Sequence, residues 1–230
     1  MTIIEFSTLE PFANLDFKPC PAKRALPDWL KTLAAIAPNG APTAKKCPPF
    51  TDTFSMGYII PTWQEFNLIP VDGVYSFRAG ITHIHNPYEQ SKPVCSYQFP
   101  EQYQGTPLTG YQVLKIQTPW IIKTPPNTSL LILPPIGGTS LPFEAIPAVI
   151  DTDTYHVPFG FTCKIKYDPN KTYNIQPGQP IAQVIPFRRE SWNMESTIST
   201  MLESAKASNK LRSYIMSGYK KLFWKKKEYN

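Results

Sequence analysis

Proline sets the first limit on what this chain can fold into. Its 230 residues include 26 prolines, about twice the ordinary share of roughly 5%. They recur from Pro11 to Pro186, and none follows. Each proline lacks an amide N–H and crowds the preceding turn, so long helices are excluded before residue 186. Short strands held between fixed turns are what remains. Hydrophobic residues make up 42% and aromatics 13%, enough to bury a core, which excludes wholesale disorder.

From Phe54 to Phe187 the pattern is that of strands. The runs SMGYIIP, GVYSFRAGITHIH, YQVLKIQTPWIIKTP, SLLILPP, AVID, FTCKIKY and IAQVIPF are apolar or alternating and are bounded by Pro, Gly, Asn or Asp. Seven or more such runs predict a mainly β fold, a sandwich or barrel, over residues 54–190. Residues 1–53 read as a proline-rich arm with one short helix: Asp28 caps a helix starting at Trp29, with Leu30, Leu33 and Ile36 on one side. After Glu190 proline disappears and residues 191–230 carry helix formers. Ile198, Met201, Leu202 and Ala205 make one apolar stripe, and Leu211, Tyr214, Ile215 and Leu222 a second. Ser208–Asn209 and Gly218 mark breaks.

The net charge of +6 is unevenly placed. From residue 206 onward eight Lys and Arg residues face Glu228 alone, a local balance of +7, which leaves −1 for the other 205 residues. The basic character therefore belongs to one tail, YKKLFWKKKEYN, where lysines alternate with aromatics. That tail suits an anionic partner such as nucleic acid or a membrane surface, or a helix packed on a neighbouring subunit. Cys20, Cys47, Cys95 and Cys163 form no C-x-x-C pair, which argues for reduced thiols and against a zinc ribbon. No signal peptide or apolar run of some 20 residues is present. The expected location is cytoplasmic, in a host cell or in a virion if the gene is carried by a phage.

The stretches KKCPPFTDTFSMGYIIP and VIDTDTYHVPFGF, with GQPIAQVIPFRRESW, resemble an uncharacterised family of bacterial and bacteriophage proteins. The likeness extends to ALPDWLK and PWIIKTPPNTSLL, and it assigns no activity. A second resemblance concerns the order PPNTSLLILPP, AVIDTD and IQPGQPIAQ, which is similar to the dUTPase and dCTP deaminase group. It implies a jelly-roll or β-clip-like frame in which Asp151 orients a water, Asp153 and Tyr155 support a ligand, Gln183 is a ligand-side amide and Gly178 holds the turn before the last strand. Where that group has an Arg-Ser-Gly phosphate segment, this chain has LPPIGGTS, whose prolines remove amide donors. Hydrolysis of dUTP is therefore not expected.

Two other constellations are candidates for chemistry. His83, His85 and Glu89 have the spacing H-x-H-x₃-E, which resembles the first metal motif of cupins and implies a divalent transition metal, with His156 as the one late histidine. Their plainer reading is as hydrogen-bonding residues on a half-exposed strand. Asp151 and Asp153 face one side of a strand, where they could share a cation or cap a turn through side-chain bonds to the backbone. Arg188, closing the last strand, is suited to clamp a carboxylate or phosphate, or to form a surface ion pair. No nucleophile elbow, P-loop or G-x-G-x-x-G is present. Because neither enzyme motif is complete, the sequence points to a non-catalytic binding or assembly module, a homo-oligomer or part of a larger assembly. The alternative is a cupin-like metal enzyme or a nucleotide-binding β-clip enzyme.

Overall fold

In the computed structural model the described residues are 3–80, 83–86, 89–212 and 218–230, without the side chains of 83, 85, 86, 89–92 and 207. The chain divides into two compact units, one of residues 1–21 and 57–189, the other of 22–56 and 190–230.

The first unit holds sixteen described strands. They are β1 (Glu5–Thr8), β2 (Cys20–Pro21), β3 (Tyr58–Pro61), β4 (Phe66–Val71), β5 (Val74–Ala79), β6 (His83–Asn86), β7 (Glu89–Pro93) and β8 (Cys95–Tyr97). Then come β9 (Gln112–Gln117), β10 (Trp120–Lys123), β11 (Thr128–Leu133), β12 (Phe143–Ala145), β13 (Ala148–Ile150), β14 (Gly160–Ile165), β15 (Tyr173–Ile175) and β16 (Pro180–Arg188). All pairs are antiparallel. The main sheets run β13-β11-β16-β3-β2 and β12-β14-β9-β8, with β15-β4-β5 and two paired ribbons beside them. The mainly β expectation holds, as open sheets; among the described residues none closes into a barrel.

Burial explains the pairing. Strand β16 sits between β11 and β3, and Ile181, Ala182, Gln183, Val184 and Ile185 are all buried. That is why IAQVI reads as a continuous apolar run and not an alternating one. Each large aliphatic side chain so placed contributes about 1.5–3 kcal/mol. Gly57 leads into β3 at φ +68, where a Cβ would stand 2.1 Å from the Val184 carbonyl oxygen. Gly178, at φ +86, turns the chain into β16, its N–H bonded to Thr62 O at 2.8 Å.

The first residues of the chain join this unit through more than loose contact. Strand β1 pairs with β10 and β2 with β3. Phe12 packs edge-on against Trp63 with ring centroids 5.3 Å apart, in a cluster completed by Ile84 and Val94.

The second unit contains α1 (Asp28–Thr32), α2 (Pro48–Ser55), α3 (Met201–Arg212) and α4 (Gly218–Leu222). Helix α1 begins at Asp28 itself, after Pro27 and with no side-chain cap. It ends before Leu33, whose ψ of 125° is extended, so the expected stripe through Leu33 and Ile36 does not form. Helix α2 occupies PPFTDTFS, a stretch of turn-like composition, because a proline in the first turn gives up only an N–H that a helix leaves unpaired there. Its Phe50 and Phe54 rings, 4.9 Å apart, gather with Trp29. Asp52 of the same helix accepts hydrogen bonds from Trp224 Nε1 at 2.8 Å and Lys227 Nζ at 2.7 Å.

The C-terminal segment departs from the expected helix. Residues 191–200 have no regular structure, and α3 starts only at Met201. Thr200 and Glu203 close a capping box there: Glu203 N donates to Thr200 Oγ1 at 3.3 Å and Thr200 N to Glu203 Oε2 at 3.1 Å. Ser and Thr dominate the preceding STIST, and their side chains compete with helical backbone bonds. Nor does Ser208–Asn209 break α3, which continues to Arg212. No helix among the described residues is long and apolar enough to cross a membrane.

Candidate functional site

The acidic pair lies where three segments of the first unit meet. Strand β11 pairs with β13 so that Leu130 faces Ile150, and with β16 so that Thr128 faces Arg188. The residue after β13 is therefore level with Ser129, and the residue after β16 level with Asn127. Ser129 Oγ donates to Asp151 Oδ1 at 2.6 Å. Arg189 N donates to Asn127 O at 2.9 Å.

From that position the Arg189 guanidinium reaches both aspartates. Its Nη1 donates to Asp151 Oδ1 at 3.1 Å, Ser129 Oγ at 3.1 Å and Asp153 Oδ1 at 2.9 Å, and Nη2 donates to Asp153 Oδ2. Asp153 Oδ2 also accepts Asn127 N–H at 2.9 Å. Asn127 is held at φ +61, a conformation its short polar side chain tolerates. Between the aspartates Thr152 points the other way and is fully buried, its Oγ1 2.8 Å from Thr124 Oγ1. The hydrogen bonds to Arg189 hold the Asp153 carboxyl below the usual carboxylate range and raise the guanidinium's own pKa.

This clasp limits the chemistry available. The Asp153 side chain is only 7% exposed and both of its oxygens are bonded. A carboxylate stabilised in its charged form is a weak base. Asp151 is different: its side chain is 61% exposed, and the bonds found for it use one oxygen. It opens onto a cleft of about 410 Å³ lined also by Lys115, Val149, Thr154, Tyr155 and Phe159. The volume is within the range of small-molecule sites, roughly 300–1,000 Å³.

The remaining sequence candidates are dispersed. Gln183 is 1% exposed, and its Oε1 accepts the Ile136 N–H at 3.1 Å. It pairs with Leu133, four residues along β11 from Ser129, which separates it from Asp151 by about 13 Å at 3.3 Å per residue. Arg188 is exposed and, one residue before Arg189, faces away from the aspartates; its neighbour makes the clamp. Tyr155 shares the cleft with Asp151, and its N–H donates to Asp151 O at 2.9 Å. His156 is exposed in the loop that follows. The side chains of His83, His85 and Glu89 lie outside the described residues. Among the described residues no three His, Cys, Asp or Glu side chains gather as a metal site would require.

Sequence reasoning missed Ser129, Thr152 and Lys115, and of the two arginines Arg188 and Arg189 it chose the first. Ser129, Thr152 and Arg189 were visible as a pattern, since PPNTS, DTD and RR each end or begin a strand run. Only pairing register shows that those ends coincide. Lys115 lies on β9, across the cleft from β13, and no local signal marks it.

No family model matches this chain, and no curated protein matches it. Among solved structures it is similar to a Staphylococcus bacteriophage 80alpha dUTPase mutant with dUpNHpp, at TM-score 0.38 and 11% identity, covering 86% of this chain and 98% of that one. A second 80alpha phage dUTPase mutant gives TM-score 0.40 and 12% identity over 86% of this chain and 91% of its own.

Proposed function

We propose that this chain is a non-catalytic binding and assembly module that acts through contacts with other subunits. The observation that carries this reading is the stretch 190–202 of the second unit. Within it Trp192 is 84% exposed, Met194 95%, Ile198 100% and Met201 93%. Large apolar side chains concentrated in one segment and left in water mark an interaction surface. The bonded state of the acidic pair supports it: Arg189, Ser129 and Asn127 use the carboxylates to join three segments. Sedimentation at micromolar concentration tests the reading. The expected mass is a multiple of the 26.1 kDa chain, falling toward one chain on dilution. A single 26.1 kDa species throughout would remove self-assembly.

A second reading, an enzyme or binding protein directed at a nucleotide through Asp151, has one observation in its favour: the cleft that holds Asp151 and Tyr155. A ligand present at 100 times its Kd would stabilise the chain by about 2.7 kcal/mol. Thermal melts across a nucleotide panel check this, and a flat panel would set it aside.

A further inference from the structure

Two opposite charges share one cleft without pairing. Lys115, half-buried on β9, and Asp151, just after β13, both line the cleft of about 410 Å³, yet the ion pair that Asp151 makes is with Arg189. Among the described residues Lys115 has no acceptor. Asp151 Oδ2 has no donor there either, because Ser129 and Arg189 both use Oδ1. Partial burial of an ammonium costs solvation that a partner ordinarily restores. Both groups are therefore open to a third party.

The rest of the lining is largely apolar. Val149 is 58% exposed and Tyr155 42%, and the Tyr155 ring meets Phe159 edge-on with centroids 6.5 Å apart. Thr154 is engaged, its hydroxyl donating to Asp151 O at 3.1 Å. The charged side chains gathered here, Lys115, Arg189, Asp151 and Asp153, sum to zero. Because Arg189 already bonds both aspartates, a chain of phosphates would meet one free ammonium and two carboxylates. A molecule with one negative and one positive end meets no such repulsion.

We propose that the cleft binds a small zwitterion, an amino carboxylate with an apolar body. Its carboxylate accepts from Lys115, its ammonium donates to Asp151 Oδ2, and its hydrocarbon lies against Val149, Tyr155 and Phe159. The inference rests on the premise of the second reading above, that this cleft takes a ligand, and changes the ligand from a nucleotide to an amino acid or short peptide. Two charge-assisted bonds at opposite ends set its direction, and the apolar lining selects an aliphatic or aromatic side chain.

Calorimetric titration of the full-length chain tests this with L-leucine, L-phenylalanine and the dipeptide Leu-Phe, each beside its N-acetyl and its carboxamide form, and with the nucleotide panel. At least one free zwitterion should bind at millimolar concentration, and blocking either end should weaken it by about tenfold. Lys115→Gln should bind the free acid and the carboxamide equally, whereas Lys115→Arg keeps the preference for the acid. Asp151→Asn should likewise lose the preference for the free amine. Circular dichroism checks that each variant is folded. Nucleotide binding with no zwitterion bound would overturn the proposal and leave the nucleotide reading standing; no binding by either class would overturn both. A preference for the free acid that survives Lys115→Gln would also overturn the proposal.

Discussion

Arg189 decides how the acidic pair behaves. Asp153 titrates below the ordinary carboxylate value of about 4 because the guanidinium and the Asn127 amide favour its charged form. The sign follows directly. Above the ordinary value the carboxylate is charged whether the chain is folded or not, and the clasp's stabilisation is fully present. As pH falls through the depressed folded value, the proton neutralises Asp153 and the stabilisation is lost. Arg189→Ala should therefore melt at a lower temperature than the wild type at pH 7, with the gap closing as pH falls below 4. Thermal melts between pH 2 and 7 would show it; a gap of constant size would mean that Arg189 contributes by packing alone. The sequence reading named Arg188 for a ligand clamp; the guanidinium that bonds the chain's own acidic pair is that of Arg189, one residue further on, because successive strand side chains point to opposite faces.

At the scale of elements, apolar runs identified most of the strands, because burial on one or both faces writes itself into a segment's composition. SLLILPP became β11, FTCKIKY β14 and IAQVIPF β16. What local composition does not carry is pairing between distant segments, and the site depends on it: Asp151, Ser129 and Arg189 meet only because β11 lies between β13 and β16. The helices show the complementary failure. The arm was expected to hold one short helix, and α2, opened by Pro48 and Pro49, is a second; the stripe through Ile198 ignored the Thr200–Glu203 box that delays α3. Close packing of β3 on β16 yields a sharper expectation. Gly57→Ala combines a left-handed φ with a Cβ inside the Val184 carbonyl, and should cost on the order of 3 kcal/mol or more. Urea unfolding measures this, whereas Gly73→Ala, also at positive φ but with open space around it, should cost only about 1 kcal/mol. Equal losses would show that strain and not the Val184 contact governs Gly57.

At the scale of the whole molecule, neither unit is a continuous stretch of chain. Removing residues 190–230 takes from Asp52 both donors that the tail supplies, Trp224 and Lys227. Amide exchange over residues 28–55 should then accelerate at least tenfold relative to the full chain, and unchanged protection would mean that the tail adds nothing to that unit. The same arrangement sets a clock on biosynthesis. Asp52 and Trp224 are 172 residues apart, so at about 5–20 residues per second the ribosome delivers the second partner roughly 9–34 s after the first. Through that interval Trp29, Phe50 and Phe54 belong to a half-built unit, which is completed only once the segment carrying Trp224 and Lys227 has been delivered.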